Sequence, residues 1–519
     1  MKNGVMDCYS IDPCEDTECR EKENCVVMNS KAICVAQSKA YCWLFGDPHY
    51  STFDGQPFSF MGTCSYILVN TTGKDPSLPQ FSIQTKNEPR VNSKGSFLKS
   101  ANIDLSGHRI TILSGQRGTV EIDGIRSDLP VSLESGNIRI TESGIQGTIQ
   151  TDVGLKITFD WTAFFMVTIS SSYYDNLGGI CGNYNGNKTD DFTTPTGVLS
   201  ANTTAWVASW SVADGDPFCR HVCNGNCPTC SETDRALYTG PKYCGLMTDG
   251  GGPFHQCHKK VPVKEFASDC LYDVCLNEGR HEVLCETLAN YVAKCQQAGA
   301  VVSPLWRKAS NCPLACPYHS HYELCGTACP ASCAIPNVPE ICSKVCVEGC
   351  QCDVGYVLSG EHCVSKETGC GCTHNDHYYL PEETFWEGNT CQSKCVCDGA
   401  TQKLVCMPRK CKASEHCEVV NGVQDCYPFS FKTCSAQGDP HFRTLMGSAR
   451  LPGKLEVRVK VPSTYHNAIC GLCGNLNDDP DDDLLLPNGE KPMSPKEFGN
   501  SYWVADVPGC SHSAKIVLL

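Results

Sequence analysis

The stretch that decides the fold is LKITFDWTAFFMVTIS, residues 155–170. Its two segments, LKITFDW and FFMVTIS, are rich in β-branched and aromatic residues, which favour strands. Gly, Asn, Asp and Pro separate it from four similar segments: FSIQTK (81–86), HRITIL (108–113), TVEID (119–123) and NIRIT (137–141). The sequence therefore predicts an antiparallel β-sandwich, in which Trp161–Ile169 is a core strand rather than a ligand-binding surface.

A cysteine spacing that occurs twice shows that the chain is built from modules. Each run of five cysteines ends just before a GDPH tetrapeptide, at Gly46–His49 and again at Gly438–His441. The offset between the copies is 392 residues throughout, so part of the chain is duplicated. The two runs are Cys14, Cys19, Cys25, Cys34 and Cys42, and Cys406, Cys411, Cys417, Cys426 and Cys434.

The second copy is shorter than the first. The counterpart of Cys181 is Cys473, at an offset of 292 instead of 392, so 100 residues of the sandwich are missing from the second copy. The missing stretch corresponds to most of the core strands, and what remains is too small to bury a core. Residues 434–519 are therefore predicted not to form an independently stable domain.

Composition indicates an oxidising compartment. The 41 cysteines among 519 residues predict a disulfide framework, because cytosolic reductants would keep thiols reduced. The alternative is a cytosolic zinc protein, but zinc sites use compact ligand quartets rather than cysteines spread through long modules. A net charge of −15 argues against nucleic acid or an anionic membrane as partner. No apolar run is long enough for membrane insertion.

Glycosylation and targeting signals agree with secretion. Three sequons occur, at Asn70, Asn187 and Asn202. The N-terminal residues Met1–Cys8 lack the apolar core of a signal peptide. We therefore expect this chain to be a fragment of a longer protein that is secreted into the extracellular space.

Shifts in composition divide the chain into six segments. The sandwich at 42–218 follows a short cysteine-rich segment at 1–41, interpreted as a truncated module. Residues 219–312 contain apolar residues at three- and four-residue steps and predict a disulfide-linked helical module. Residues 313–370 hold ten cysteines and little apolar core, so bridges must stabilise them. A cysteine-rich β module at 371–433 and the shortened copy at 434–519 complete a multidomain, mainly β protein.

Several motifs resemble one extracellular family. GDPHYSTFDG (46–55), FMGTCSYILV (60–69) and GGICGNYNGNKTDDF (178–192) are similar to the von Willebrand factor type D domain. CGLM and CLYDVC in the helical module resemble the C8 domain, and the ten cysteines after it resemble a trypsin-inhibitor-like (TIL) domain. Residues 371–433 resemble a VWC or E-like module. The same D, C8 and TIL order is found in IgG Fc-binding-protein-like, zonadhesin-like and mucin-like glycoproteins.

The resemblance implies two disulfides and a calcium site. The family's bridges correspond to Cys42–Cys181 and Cys64–Cys219. Its calcium ion would take oxygen ligands, which suit this hard cation, from an aspartate of FDG and from the asparagine-rich loop. The alternative is an Asn/Gly turn that binds no metal. The implied ligands are Asp54, Asn183, Asn185, Asn187 and Asp191, with Asp190 as a further candidate.

Each GDPH is a candidate for self-cleavage between Asp and Pro, as in some relatives. The Asp carboxyl lies beside its own peptide carbonyl, so attack is intramolecular, and the tertiary amide of Pro is a good leaving group. The alternative is a rigid Asp-Pro turn before a strand. The candidate residues are Asp47, Pro48 and His49 in the first copy and Asp439, Pro440 and His441 in the second.

The domain order implies a structural and adhesive glycoprotein of mucus or extracellular matrix, and not an enzyme apart from self-cleavage. Its expected partners are other extracellular or mucus glycoproteins, or further copies joined by disulfides. Two alternatives stay open: a zonadhesin-like cell-adhesion protein, and a secreted protease inhibitor acting through the TIL domain. CPTC (227–230) and CGLC (470–473) match a redox pattern but lack its βαβ context, so structural bridges are favoured.

Overall fold

A computed structural model divides the chain into two compact units. The first contains Met1–Glu383 and Cys397–Val405, and the second contains Thr384–Val396 and Cys406–Leu519. The structure describes residues 12–89, 95–162, 164–221, 230–335, 342, 344–375, 377–437, 441–443, 448–450, 457–465, 469, 472–473, 476, 479 and 482–502. The candidate residues Asp439 and Pro440 lie outside this part, as do Cys227 and Cys470.

The first unit begins with a short hairpin and continues into two large antiparallel sheets. Two bridges, Cys14–Cys25 and Cys19–Cys34, hold the hairpin. The strands are β1 (Glu23–Met28), β2 (Lys31–Ala36), β3 (Lys39–Phe45), β4 (His49–Ser51), β5 (Pro57–Ser59), β6 (Ser65–Thr71), β7 (Phe81–Pro89), β8 (Ser96–Leu105), β9 (His108–Leu113), β10 (Thr119–Ile122), β11 (Ile125–Asp128), β12 (Val131–Leu133), β13 (Ile138–Ser143), β14 (Gln146–Thr151), β15 (Leu155–Phe159), β16 (Phe164–Ser170) and β17 (Leu177–Gly178).

The two sheets pack around one apolar core, which agrees with the predicted sandwich. One sheet has the order β11-β10-β9-β8-β7-β6-β17, and the other runs from β12 through β13, β14, β15 and β16 to β3, β4 and β5. Along β7 and β9 buried residues alternate with more exposed ones, because only one face of each strand meets the core. Helix α1 (Thr203–Ser209) and strand β18 (Ser211–Val212) close the domain, with β18 paired to β6.

Strand β16 lacks this alternation because both of its faces are covered. All seven residues are buried. Phe165, Val167 and Ile169 lie in the sandwich core, whereas Phe164 and Met166 pack with the helical module. The prediction of a core strand is confirmed for β16, but Trp161 lies before it in a turn with φ of 57°. Its buried indole donates to the carbonyl of Thr119 at 2.9 Å.

The helical module packs against the outer face of β3 and β16. Its helices are α2 (Glu232–Tyr238), α3 (Gly245–Thr248), α4 (Val263–Leu276), α5 (His281–Gln297) and α6 (Trp306–Ser310). Phe266 of α4 stacks on Phe45 at a centroid distance of 5.6 Å. Four bridges hold the module: Cys230–Cys275, Cys244–Cys270, Cys257–Cys295 and Cys285–Cys312.

The next segment relies on disulfides, as its composition predicts. Its strands are β19 (Ser320–Gly326), β20 (Val347–Cys352), β21 (Tyr356–Ser359) and β22 (His362–Ser365). Its bridges are Cys316–Cys350, Cys325–Cys346, Cys329–Cys342, Cys333–Cys370 and Cys352–Cys363. Strands β23 (Cys372–His374) and β24 (His377–Tyr379) then extend the sandwich, because β24 pairs with β12.

The described residues of the second unit form small sheets and a small apolar cluster. Its strands are β25 (Thr384–Trp386), β26 (Ser393–Asp398), β27 (Lys403–Pro408), β28 (Glu415–Val420), β29 (Val423–Pro428), β30 (Phe431–Gln437), β31 (His441–Arg443), β32 (Ser448–Arg450) and β33 (Val457–Pro462), followed by helix α7 (Pro495–Ser501). Strand β26 and strand β27 both run across the boundary between the units. Cys434 and Leu476 form the small buried cluster of the described C-terminal segment, and Cys434 is bonded to Cys473.

Candidate calcium loop and Asp-Pro site

The asparagine-rich loop closes over Asp54, as a shared oxygen site requires. Asp54 follows β4, and its two carboxylate oxygens accept the backbone N–H groups of Asn185 and Gly186, both at 3.0 Å. Asp191 is nearly fully buried, and its Oδ2 accepts the hydroxyl of Thr52 at 2.6 Å. These bonds bring the two carboxylates predicted as ligands to the same loop.

Asp190 accepts hydrogen bonds from the side-chain amides of all three asparagines that are predicted as ligands. Its carboxylate accepts from Asn183 Nδ2 at 3.0 Å, Asn185 Nδ2 at 2.9 Å and Asn187 Nδ2 at 3.2 Å. Because each amide nitrogen faces Asp190, the amide oxygens of Asn183 and Asn185 are turned elsewhere. The loop thus brings all six predicted residues together.

Two buried oxygens of this loop lack a hydrogen-bond partner, Asn183 Oδ1 and Asp191 Oδ1. A Cβ at Gly182, where φ is +82°, would collide with the Asp191 carboxylate, so this glycine permits the close approach. Burial, together with the neighbouring carboxylates of Asp54 and Asp190, raises the pKa of Asp191 to about 6, although hydrogen bonds from Thr52 and from the backbone of Asn183 oppose the rise. Unpartnered buried oxygens and crowded carboxylates fit a hard divalent cation such as Ca²⁺.

The first GDPH lies at the contact between the sandwich and helix α4. Asp47 is fully buried, and its Oδ2 accepts Asn277 Nδ2 at 2.6 Å. The His49 imidazole, also buried, contacts Asp273 Oδ1 through Nε2 at 2.7 Å. Its Nδ1 lies 2.8 Å from Ser59 Oγ. A Cβ at Gly46, where φ is +66°, would collide with the Asp273 carboxylate, so glycine is required there.

His49 is held as a cation by carboxylates of α4. Burial alone would lower the pKa of His49, but Asp273, then Asp269 and Asp47, raise it to about 9. Asp269 Oδ1 lies 3.4 Å from His49 Nδ1, and burial raises the pKa of Asp269 to about 6. The residue that follows the Asp-Pro pair in sequence therefore carries a protonated imidazole at neutral pH.

Sequence reasoning missed the contribution of α4 to this site. Asp269, Asp273 and Asn277 occur at four-residue steps, so they share one helix face. This row of polar residues on one helix face can be recognised in the sequence. The sequence does not show which residues of the sandwich this helix face contacts, because those contacts depend on how the two modules pack together.

The two disulfides implied by the resemblance are present in the sandwich. The structure joins Cys42 to Cys181, a bridge that spans the Asp47–Pro48 bond in sequence, and Cys64 to Cys219. Cys230 is bonded to Cys275 and Cys473 to Cys434, so neither cysteine is bonded within its CxxC pattern. This pairing favours the structural interpretation over redox activity.

The three sequons occupy different environments. Asn70 lies in β6, paired with Gly178, and its Oδ1 is buried without a partner. Asn187 is exposed but donates to Asp190, and exposed Asn202 caps α1 by accepting from Ala205 N at 3.0 Å. A glycan on Asn187 would use the nitrogen that binds Asp190.

Comparison with known domains identifies the modules. Residues 42–198 and 448–490 match the von Willebrand factor type D domain, 243–313 match the C8 domain, and 316–372 match the trypsin-inhibitor-like cysteine-rich domain. The chain belongs to the family of type D, C8 and TIL multidomain proteins. The D, C8 and TIL domains, named so from here on, are the sandwich, the helical module and the disulfide-rich segment after it.

Similar proteins are much longer than this chain. Human IgGFc-binding protein is 35% identical over 96% of the chain, and human alpha-tectorin is 36% identical over 84%. Human zonadhesin is 29% identical over 96% of the chain. The chain spans 11%, 20% and 21% of these three proteins, respectively. Among the described residues, no helix is both long and apolar enough to cross a membrane.

Proposed function

We propose that this chain is a unit of a secreted structural and adhesive glycoprotein of mucus or extracellular matrix. The cysteine-rich D–C8–TIL order and the similarity to zonadhesin, alpha-tectorin and IgGFc-binding protein support this function. Its partners are other extracellular glycoproteins or further copies joined by disulfides. A cell-adhesion role of the zonadhesin kind differs only in where the full protein is anchored.

The D domain holds calcium in the loop around Asp54 and Asp191 in this proposal. The cation supplies positive charge to three crowded carboxylates, those of Asp54, Asp190 and Asp191. Asn183, Asn185 and the backbone carbonyl of Asn187 would complete the ligand set. The support is chemical, since Asp191 Oδ1 and Asn183 Oδ1 are buried without a hydrogen-bond partner.

The D domain also cleaves itself at Asp47–Pro48 in this proposal. A carboxyl oxygen of Asp47 attacks the carbonyl carbon of the same residue, the C–N bond to Pro48 breaks, and a proton passes to the proline nitrogen. The products are a cyclic anhydride and a new N-terminal Pro48; water or an amine then opens the anhydride. His49, adjacent in sequence and protonated at neutral pH, is the assigned proton source.

The single observation that carries the cleavage proposal is the buried Asp47–Asn277 and His49–Asp273 arrangement. The test is incubation of the purified chain at pH 5 to 7, followed by gels with and without reductant. Two fragments should separate only after reduction, because Cys42–Cys181 joins the pieces across the cut. An unreacted band after reduction, with Asp47→Ala behaving identically, would refute cleavage.

Protease inhibition through the TIL domain is the second candidate, favoured only by the match of residues 316–372. Titration of trypsin-like proteases with the intact chain distinguishes it from the adhesive function. Stoichiometric loss of protease activity would support inhibition, whereas unchanged activity at a large excess of the chain would remove it.

A further inference from the structure

A groove with four lysines lies where the D, C8 and TIL domains meet. It encloses about 580 Å³, a size typical of small-ligand sites. Its floor is the outer face of the sheet formed by β14, β15, β16 and β3, and α5 and the TIL segment before β20 form its walls. The lysines are Lys39, Lys156, Lys294 and Lys344.

The sheet register places these groups side by side. Thr168 of β16 is paired with Lys156 on one side and with Tyr41 on the other. Lys39 lies two residues from Tyr41 and so on the same face of β3. The ammonium of Lys294, from α5, lies over the Tyr41 ring at 5.6 Å from its centroid. Three lysines thus surround one exposed aromatic ring.

The positive charge of the groove is not balanced by nearby acids. Within the part of the chain that the structure describes, no carboxylate lies within 4.0 Å of any of the four ammonium groups. The acidic lining residue is Glu348, whose Oε1 already accepts from Trp306, Arg307 and Tyr322. Burial, then Lys344 and Lys39, lower the pKa of Lys156. Such mutual repulsion is unusual in a chain with a net charge of −15.

The rest of the floor can both donate and accept hydrogen bonds. It is lined by Thr148, Thr158, Thr168 and Gln146, of which Thr148 and Gln146 are the more exposed. Thr158 is 3% exposed, and its Oγ1 is buried without a hydrogen-bond partner. A ligand that combines anionic groups with several hydroxyls would match both features of the groove.

We propose that this groove binds a short acidic oligosaccharide carrying sulfate or carboxylate groups. The lysines bind the anionic groups, the threonines and Gln146 bind sugar hydroxyls, and a sugar ring lies against Tyr41. A long nucleic acid fits poorly, because the net charge of −15 repels it and one tyrosine gives no row of stacking rings. An acidic peptide would leave the hydroxyl-lined floor with few partners.

The test is calorimetric titration of the intact chain with four probes: a heparin-derived tetrasaccharide, 3′-sialyllactose, neutral lactose and hexaglutamate. At least one acidic sugar should bind with Kd below about 1 mM and weaken as salt rises, because the contacts are ionic. The heparin fragment and sialyllactose distinguish sulfate from carboxylate recognition. Absent binding of both, equal binding of lactose, or tighter binding of hexaglutamate would overturn the proposal.

The double variant Lys156→Gln/Lys294→Gln should weaken binding by about tenfold or more, since it removes two ionic contacts. The matched control Lys31→Gln/Lys366→Gln changes the net charge equally at exposed positions outside the groove and should bind within about twofold of the parent. Lys156→Gln alone should raise Tm without ligand, because repulsion is relieved. Unchanged affinity in the groove variant, or a tenfold loss in the control, would contradict the assignment.

Discussion

At the scale of single residues, Asp273 determines the charge of His49. Replacing Asp273 with Asn removes the negative partner at 2.7 Å, so the pKa of His49 should fall from about 9 toward its ordinary value. The pH limit of Asp47–Pro48 cleavage should then move to acid pH by about one unit or more. Cleavage rates measured from pH 4 to 9 on reducing gels check this shift.

The same residue pair gives a pH-dependent stability whose direction is fixed. The pKa of His49 is raised on folding, so its contribution is fully present below about pH 6.5 and is lost as pH rises through about 9. The loss is at most about 3 kcal/mol.

Exposed Glu282→Gln on α5 is the control for Asp273→Asn and should leave both the pH profile of cleavage and Tm unchanged. A loss of activity at all pH values, without a shift, would indicate a purely structural role for Asp273.

Asp191 carries the second prediction at this scale. Calcium should raise the Tm of the parent chain, because the cation neutralises carboxylates that are buried and crowded in its absence. Asp191→Asn should abolish most of this calcium-dependent rise, whereas Asp152→Asn, an exposed carboxylate of the same domain, should preserve it. Differential scanning calorimetry with calcium and with EGTA checks the difference, and a full calcium response in Asp191→Asn would remove Asp191 from the site.

At the scale of elements, β16 shows how far sequence reasoning reaches. Its run of apolar and β-branched residues predicts a strand, and its lack of alternation reflects burial on both faces. The sequence could not assign the second face to the C8 domain, because that depends on Phe45, Phe164 and Met166 packing with distant helices. For the same reason, the sequence shows that Asp269 and Asp273 share one helix face, but it does not show that this face contacts His49. The sequence also could not predict that β24 pairs with β12, because a single residue pair joins the two strands.

Phe165 of β16 supplies the prediction at this scale. It is fully buried in the sandwich core, so Phe165→Ala should destabilise the D domain by about 3–5 kcal/mol through lost burial and a cavity. Val198→Ala, at a position 61% exposed, should change stability by less than about 0.5 kcal/mol. Urea unfolding followed by tryptophan fluorescence measures both, and similar midpoints for the two variants would contradict the assigned core.

At the scale of the whole molecule, the two copies of the type D sequence differ in how much core they can bury. The first has two large sheets and an extensive apolar cluster, whereas the buried cluster described for the shortened copy is Cys434 and Leu476. Residues 448–490 still match the type D domain, and Cys434–Cys473 is formed. The similarity to the type D domain and one bridge are therefore retained, but among the described residues of this copy few apolar side chains are buried.

Limited proteolysis tests whether the shortened copy is stable by itself. In trypsin digests without reductant, peptides from 434–519 should appear at least about ten times faster than peptides from 42–218, because cleavage follows local opening. Mass spectrometry of a time course measures both rates in one chain, so the D domain is an internal control. Reduction before digestion should accelerate loss of the TIL domain, whose five described bridges replace an apolar core. A resistant fragment that begins near residue 434 would show that 434–519 is stable despite its small core.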